Sequence, residues 1–258
     1  MTFTQKQALY IEDVIRTSLR DKFLNYKPES NSMPFHYRLL GRDRMALYSF
    51  IQSLNTTFGT SIFEPVAVAL AKLRFKDSER SAVAGTRISE EAHKTIQTIM
   101  DDLITGRKQP NKMEEIEAIR KVCQKGKMNA VKPTKIDVLV ISKDDSIFLF
   151  DIKTVKPNIG NFKEFKRTLL EWTAAVLAQN PDAKINTCIA IPYNPYEPKP
   201  YERWTMKGLL DLSYELKVAD EFWDFLGGEG SYNELLNCFE RVGIELRPEI
   251  DKYFSRFK

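Results

Sequence analysis

The sequence predicts a mixed α/β fold, of the α+β kind, in which helices flank one central sheet. Three observations predict it. Residues 133–141 and 147–154 are apolar runs of strand length, separated by the turn-like Ser142-Lys-Asp-Asp-Ser146, and read as an antiparallel hairpin. Residues 161–179 carry Phe165, Leu169, Trp172, Val176 and Leu177 at helical spacing. Residues 185–191 form a third apolar run, and the order strand, helix, strand implies a parallel right-handed crossover. A hairpin joined to a crossover strand makes the sheet mixed.

Ahead of that core the chain reads as helical. Residues 5–22 place Ala8, Ile11, Val14, Ile15 and Leu19 on one helix face. Residues 25–34 are a polar break, and 35–44 a basic, aromatic connector that includes Arg38 and Arg42. A helix is expected over 45–54, a loop over 55–61 and a helix over 63–72. Pro65 falls in the first turn of the latter, where a missing N–H costs nothing. Residues 75–88 are mostly polar and read as turns. Ser89 is the expected N-cap of a helix to about Leu103, and 113–123 is an acid-rich helix. Beyond the crossover strand, 192–207 mixes prolines with aromatics and charges. Residues 209–226 read as two helical pieces stopped by Gly227-Gly228, 231–242 as a last helix and 248–258 as a short basic tail. No internal repeat or linker divides the chain. It reads as one domain over 1–258, helical over about 1–125, with a catalytic core over about 130–195 and a C-terminal recognition and helical part over about 193–258.

Composition narrows the function. The chain has 258 residues, enough to bury a core without staples, and a net charge of +4, which suits an anionic partner. Cys123, Cys188 and Cys238 are scattered, no CxxC occurs, and only His36 and His93 are available. That argues against structural zinc and against disulfides, and fits a reducing cytoplasm. The N-terminus lacks an apolar signal core, and no apolar run is long enough to span a bilayer.

The hairpin carries the chemistry. Asp151 and Lys153 are two apart and share a strand face. A hairpin symmetric about Asp144 puts Asp137 opposite Asp151, whereas a one-residue slip separates them. Two carboxylates are hard oxygen donors suited to Mg²⁺, and a lysine beside them can activate water or neutralise phosphate charge. One lysine supplies only about 10²–10⁴-fold. Phosphodiester hydrolysis needs far more, so metal and positioning must carry the rest. Glu64 is the expected third acid. The competing reading is a carboxylate that merely favours a helix N-terminus. For the hairpin charges it is a minor surface pair, worth about 0–1 kcal/mol.

Asp137, followed after a short turn by Asp151-Ile-Lys153, resembles the PD-(D/E)XK nuclease signature. The proline is displaced, since Ile136 precedes Asp137 and the nearest proline is Pro133. Glu64, Asp137, Asp151-x-Lys153, a crossover helix and a strand follow the order of the restriction-endonuclease branch. Residues 47–67 and 221–228 look like the TdeIII-type type II restriction endonucleases. The resemblance implies a restriction-endonuclease-like core. It also implies a homodimer that cuts both strands of double-stranded DNA with Mg²⁺, held by Asp137, Asp151 and Glu64, at a short symmetric, GGNCC-like site.

DNA contacts are expected from three stretches. Lys127, Lys132 and Lys135 lie in the densest basic run, ending where the first acidic strand begins, and Lys156 follows the second. Tyr193, Lys199, Arg203 and Lys207 lie on the proline-stiffened segment, where an arginine or lysine can reach guanine O6 and N7. Arg38 and Arg42 complete the set. Each stretch also reads as a solvated surface. Two rival functions stand beside this one: a repair or junction nuclease without base specificity, and a DNA-binding module that never cuts.

Overall fold

The computed structural model describes residues 3–26, 33–153, 161–203 and 206–255. In chain order the helices are α1 (Gln5–Leu24), α2 (Pro34–Leu40), α3 (Arg42–Phe58), α4 (Glu64–Ala71), α5 (Glu90–Ile104), α6 (Lys112–Arg120), α7 (Phe162–Gln179), α8 (Asp220–Gly227) and α9 (Ser231–Phe254). The strands are β1 (Asp77–Val83), β2 (Arg87–Ser89), β3 (Met128–Ala130), β4 (Lys135–Ile141), β5 (Ile147–Ile152), β6 (Ile185–Ile191) and β7 (Leu216–Val218). The main sheet has the order β1-β4-β5-β6-β7, and β2 pairs with β3 in a small second sheet.

The hairpin forms in the expected register: Val138 faces Phe150 and Ile141 faces Ile147, so Asp137 falls level with Asp151. Strand β6 runs parallel to β5, and β7 pairs parallel on the other side of β6, so the sheet is mixed. Each face of the sheet carries its own core. On one side Ile136, Leu149, Ile189 and Ile191 pack under α5, α6 and α7. On the other Val138, Val140, Phe150 and Ile152 pack under α4, α8, α9 and α1. Alternation along β4 breaks at Asp137, because Ile136 belongs to the first core and Val138 to the second. The neighbouring edge breaks at the same level. Ser81, between the paired Arg80 and Ala82, adopts a left-handed φ of 60°. That local distortion is how a carboxylate comes to lie at the end of a well-packed strand.

Several expectations change. Residues 75–88 hold β1 and β2 rather than turns. Only Ser78 and Ala82 of β1 are buried, so an edge strand showed no apolar alternation. The expected connector at 35–44 contains α2 and the start of α3, and the expected loop at 55–61 is the end of α3 followed by a π-helical turn, Gly59–Phe63. Part of the expected helix 209–226 is turn and strand β7, and α9 runs through Pro248 to Phe254 instead of ending in a tail.

Candidate active site

Three structural devices bring the acids together. The first is the π-helical turn. It feeds α4, whose Pro65 sits in the first turn, where the missing N–H is harmless. Helix α4 is rich in alanine (Ala67, Ala69, Ala71), which lets its axis lie close on the sheet, and Glu64 is delivered buried at its start. The second device is Asp137 itself. Its Oδ2 accepts the Ile152 backbone N–H at 2.8 Å, so the carboxylate takes a bond that would otherwise belong to the ladder. The third is the parallel neighbour strand. Lys153 donates its backbone N–H to Ala190 O at 2.9 Å, which extends the pairing one residue beyond β5 and fixes where its side chain starts.

The side chains form one charged cluster with three ion pairs. Lys153 Nζ lies 2.6 Å from Asp151 Oδ1, and its ammonium stands 4.8 Å from the Phe165 ring centre. Lys135 Nζ donates to both Glu64 oxygens at 2.9 and 3.0 Å and lies 3.8 Å from Asp137 Oδ1. Burial raises the Asp151 carboxyl to about 6, with Lys153 pulling it down and Asp137 pushing it up. Burial also raises Glu64, against the pull of Lys135 and with the push of Asp137. Three acids crowd around Lys135 and Lys153, with Arg80 also pulling Glu64 down, and burial still raises two of the three. That is the environment a divalent cation relieves, and carboxylate oxygens are the donors Mg²⁺ takes. Asp137, Asp151 and Glu64 therefore fit such an ion chemically. Among the described residues no three His, Cys, Asp or Glu side chains stand close enough to close around one ion; Lys135 stands between Glu64 and Asp137.

The cluster opens on a cleft of about 800 Å³ whose wall includes Glu64, Asp137, Ile152, Lys153 and Tyr193. Its other side is aromatic, with Phe58, Phe63, Trp223, Tyr232 and Phe239. Trp223 Nε1 donates to Pro192 O at 2.7 Å, so α8 pins the start of the proline-rich segment at the cleft edge.

The predicted residues separate into groups. Glu64, Asp137, Asp151 and Lys153 come together, and Tyr193 joins them at the cleft. Lys135, expected on DNA, is turned onto Glu64. Lys127, Lys132, Lys199 and Lys207 are exposed. Arg203 donates to both Glu221 oxygens at 2.8 Å. Arg38 and Arg42 lie 5.7 and 5.8 Å from the Tyr37 ring centre on α2 and α3. Lys156 lies outside the described residues. The aromatic wall was missed, because Phe58 fell inside the expected loop 55–61 and Phe63 at the start of the expected helix 63–72, and nothing in their spacing points to a cleft.

A nuclease-type arrangement of this kind defines a class: acids and a lysine at the end of a hairpin, beside a crossover strand. A family model described as the type II restriction endonuclease HinfI matches residues 3–243. The chain belongs to this family of type II restriction endonucleases. The class read from the sequence holds; the matching family bears the HinfI name rather than the TdeIII one. The chain is 29% identical to the type II restriction enzyme MjaII of Methanocaldococcus jannaschii over 223 residues, which cover 82% of this chain and 58% of that enzyme. It is 28% identical to the type II restriction enzyme HgiCII of Herpetosiphon aurantiacus over 223 residues, 85% of this chain and 80% of HgiCII. With HgiEI of the same organism the identity is 26% over 256 residues, 96% of this chain and 92% of HgiEI. The chain thus spans just over half of MjaII and most of the two Herpetosiphon enzymes. No helix among the described residues is long and apolar enough to cross a membrane.

Proposed function

We propose that the protein hydrolyses phosphodiester bonds of double-stranded DNA at a short symmetric site, with Mg²⁺ held by Asp137 and Asp151 and completed by Glu64. The observation that carries this reading is the hydrogen bond from Ile152 N–H to Asp137 Oδ2, which locks Asp137 against the Asp151-x-Lys153 strand end. When bound, the ion polarises a phosphoryl oxygen and makes a coordinated water a better nucleophile. Lys153, held on Asp151 and partly exposed to the cleft, offers a proton donor to the attacked phosphate and electrostatic stabilisation of its developing charge. Tyr193 at the cleft, with exposed Lys127, Lys132, Lys199 and Lys207, is the expected DNA-facing set. Arg203 joins it as a base reader if it exchanges Glu221 for guanine. The direct experiment is plasmid DNA plus Mg²⁺ with sequencing of the fragment ends. Discrete fragments with a common end support the reading and test the GGNCC-like site implied by the TdeIII resemblance. A smear points to a nuclease without base specificity, and binding without cutting to a non-catalytic module.

We infer a homodimer as the working unit, joined through α2 and α3. Helix α2 buries none of its residues, and Phe35, Leu39, Leu40, Leu47, Tyr48 and Ile51 stand exposed across the pair. Together they make a contiguous apolar face on two adjoining helices, the kind of surface that a standard interface of ~800 Å² per partner covers. Helix α3 also leads into the turn that presents Glu64, so a partner there would sit beside the cleft. Leu39 is 82% exposed, so Leu39→Glu should leave the fold intact and yield a monomer by light scattering. A variant as dimeric as the wild type would remove this face from the interface.

A further inference from the structure

Lys135 is the one member of the cluster that the proposed hydrolysis does not use. Its ammonium is committed to both oxygens of Glu64 and lies near Asp137 Oδ1. These are carboxylates assigned above to the metal. An ammonium and a divalent ion cannot both take the same oxygens at full strength, so the two compete. The side chains also differ in their freedom to leave. The Glu64 side chain is 3% exposed and anchored at the start of α4, whereas that of Lys135 is 44% exposed on a flexible four-carbon stem. When a cation takes Glu64 and Asp137, it is therefore Lys135 that moves.

Where it goes follows from its place in the strand. Lys135 opens β4, at the end of the sheet where Asp137 lines the cleft, and the exposed Lys132 precedes it. A displaced ammonium at that mouth meets the DNA backbone, the nearest large source of anionic oxygen in the proposed complex.

We propose that Lys135 is a positioning residue that couples cation loading to backbone capture: it neutralises Glu64 and Asp137 until a divalent cation takes them, and then becomes a phosphate contact. This rests on the metal reading given above. By linkage the coupling is reciprocal, so DNA that draws Lys135 away also strengthens cation binding at the acids. The sequence signal is the spacing Lys135-x-Asp137, which puts a cation and an acid two apart at a strand start.

The test uses the full chain with Ca²⁺ as a probe that binds oxygen ligands, and measures binding rather than turnover. Removing the competitor in Lys135→Met should tighten Ca²⁺ binding without DNA by about tenfold in calorimetry. The gain in DNA affinity that Ca²⁺ brings to the wild type should shrink by a similar factor. The salt slope of DNA binding in Ca²⁺ should fall by about one unit, the signature of one lost phosphate contact. Lys135→Gln, which keeps a hydrogen-bond donor for Glu64, provides the same readings if the methionine lowers the folded fraction. Ca²⁺ affinity that is unchanged or weaker in folded Lys135 variants would overturn the proposal and leave Lys135 a plain support for Glu64. A wild type that binds no Ca²⁺ would overturn the metal reading itself, which the variants alone do not touch.

Discussion

Two clusters of buried charge border the same sheet, one at the cleft and one away from it, and they differ in what they leave open. In the back cluster, away from the cleft, Lys166 Nζ bridges Glu115 Oε2 at 2.5 Å and Glu215 Oε2 at 2.6 Å. Lys112 Nζ holds Glu215 Oε1 at 2.9 Å and Thr187 Oγ1 at 2.6 Å. Two lysines meet two glutamates, all of them buried, and none of the four lines the cleft. Burial works to raise Glu215, but Lys112 and Lys166 outweigh it and its carboxyl is lowered, whereas burial raises Glu115 against the pull of Lys166. In the front cluster, at the cleft, Glu64, Asp137 and Asp151 face Lys135 and Lys153, with Arg80 also pulling Glu64 down, and burial wins: Asp151 and Glu64 are both raised. The back cluster ties α6, α7, β6 and the approach to β7 together through side chains that are all buried. The front cluster stands at a cleft, with Glu64, Asp137 and Lys153 in its wall. Perturbed carboxylates alone do not mark a site, since Glu115 is perturbed too; perturbed carboxylates beside a cleft do.

The largest effect that would break this comparison is on cleavage. Asp137→Ala removes a proposed ligand and should abolish cutting while DNA binding in Ca²⁺ persists. Lys153→Ala should slow cutting by roughly 10²–10⁴-fold. Single-turnover assays on plasmid DNA read both, and near wild-type rates in either variant would contradict the assignment.

Next is the stability of the back cluster. Lys166→Met leaves Glu115 and Glu215 short of a buried partner and should cost about 3–5 kcal/mol in urea unfolding. Its cutting rate per folded molecule should stay near that of the wild type. A loss below 1 kcal/mol would mean that this network is not a structural tie.

A smaller effect has the opposite sign. The folded-state pKa of Asp151, about 6, lies above the ordinary aspartate value. Its contribution therefore favours the fold fully below about pH 4 and is lost as pH rises through about 6. Asn does not titrate, so Asp151→Asn should stabilise the metal-free protein by roughly 1–3 kcal/mol at pH 8, with the difference fading toward pH 4. Melting in EDTA across that range checks it; a destabilised variant at pH 8 would show that the ion pair with Lys153 outweighs burial. Smallest is Glu64→Gln. If the carboxylate served only the helix end, stability would fall by about 0.3–1 kcal/mol with cutting unchanged. The expected result is cutting slowed far more than the fold is weakened.

Much of the front cluster was legible in the sequence, and the reasons are local. A symmetric turn around Asp144 sets the hairpin register, and register alone brings Asp137 level with Asp151. Glu64 was readable because Pro65 marks a helix start inside an apolar stretch. Lys135 was read as part of a basic run, since sequence cannot say whether a strand-end lysine turns outward or back onto an acid from α4. The break in alternation at Asp137 depends on Ser81, some fifty residues away in the chain, and left no mark in β4 itself. The back cluster did have a signal that went unused. Lys166 falls among Phe162, Phe165, Leu169 and Leu170 on a core face, where a lysine requires a buried acid. Strand β1 and helix α2 bury too little apolar surface to show a period, and the run of α9 past Pro248 was not legible because it rests on contacts with α1 and the residues just after it, such as Arg20 with Glu249 and Tyr26 with Tyr253, that no local pattern marks.

The account's central claim is that the acids at the cleft, and not the fully buried cluster away from it, bind the divalent cation. Calorimetric titration of Ca²⁺ into the wild type, Asp151→Asn and Glu115→Gln at pH 8 tests it most directly. Binding should be present in the wild type, reduced by at least about tenfold in Asp151→Asn, and unchanged in folded Glu115→Gln. Undiminished binding in Asp151→Asn, or loss confined to Glu115→Gln, would contradict it.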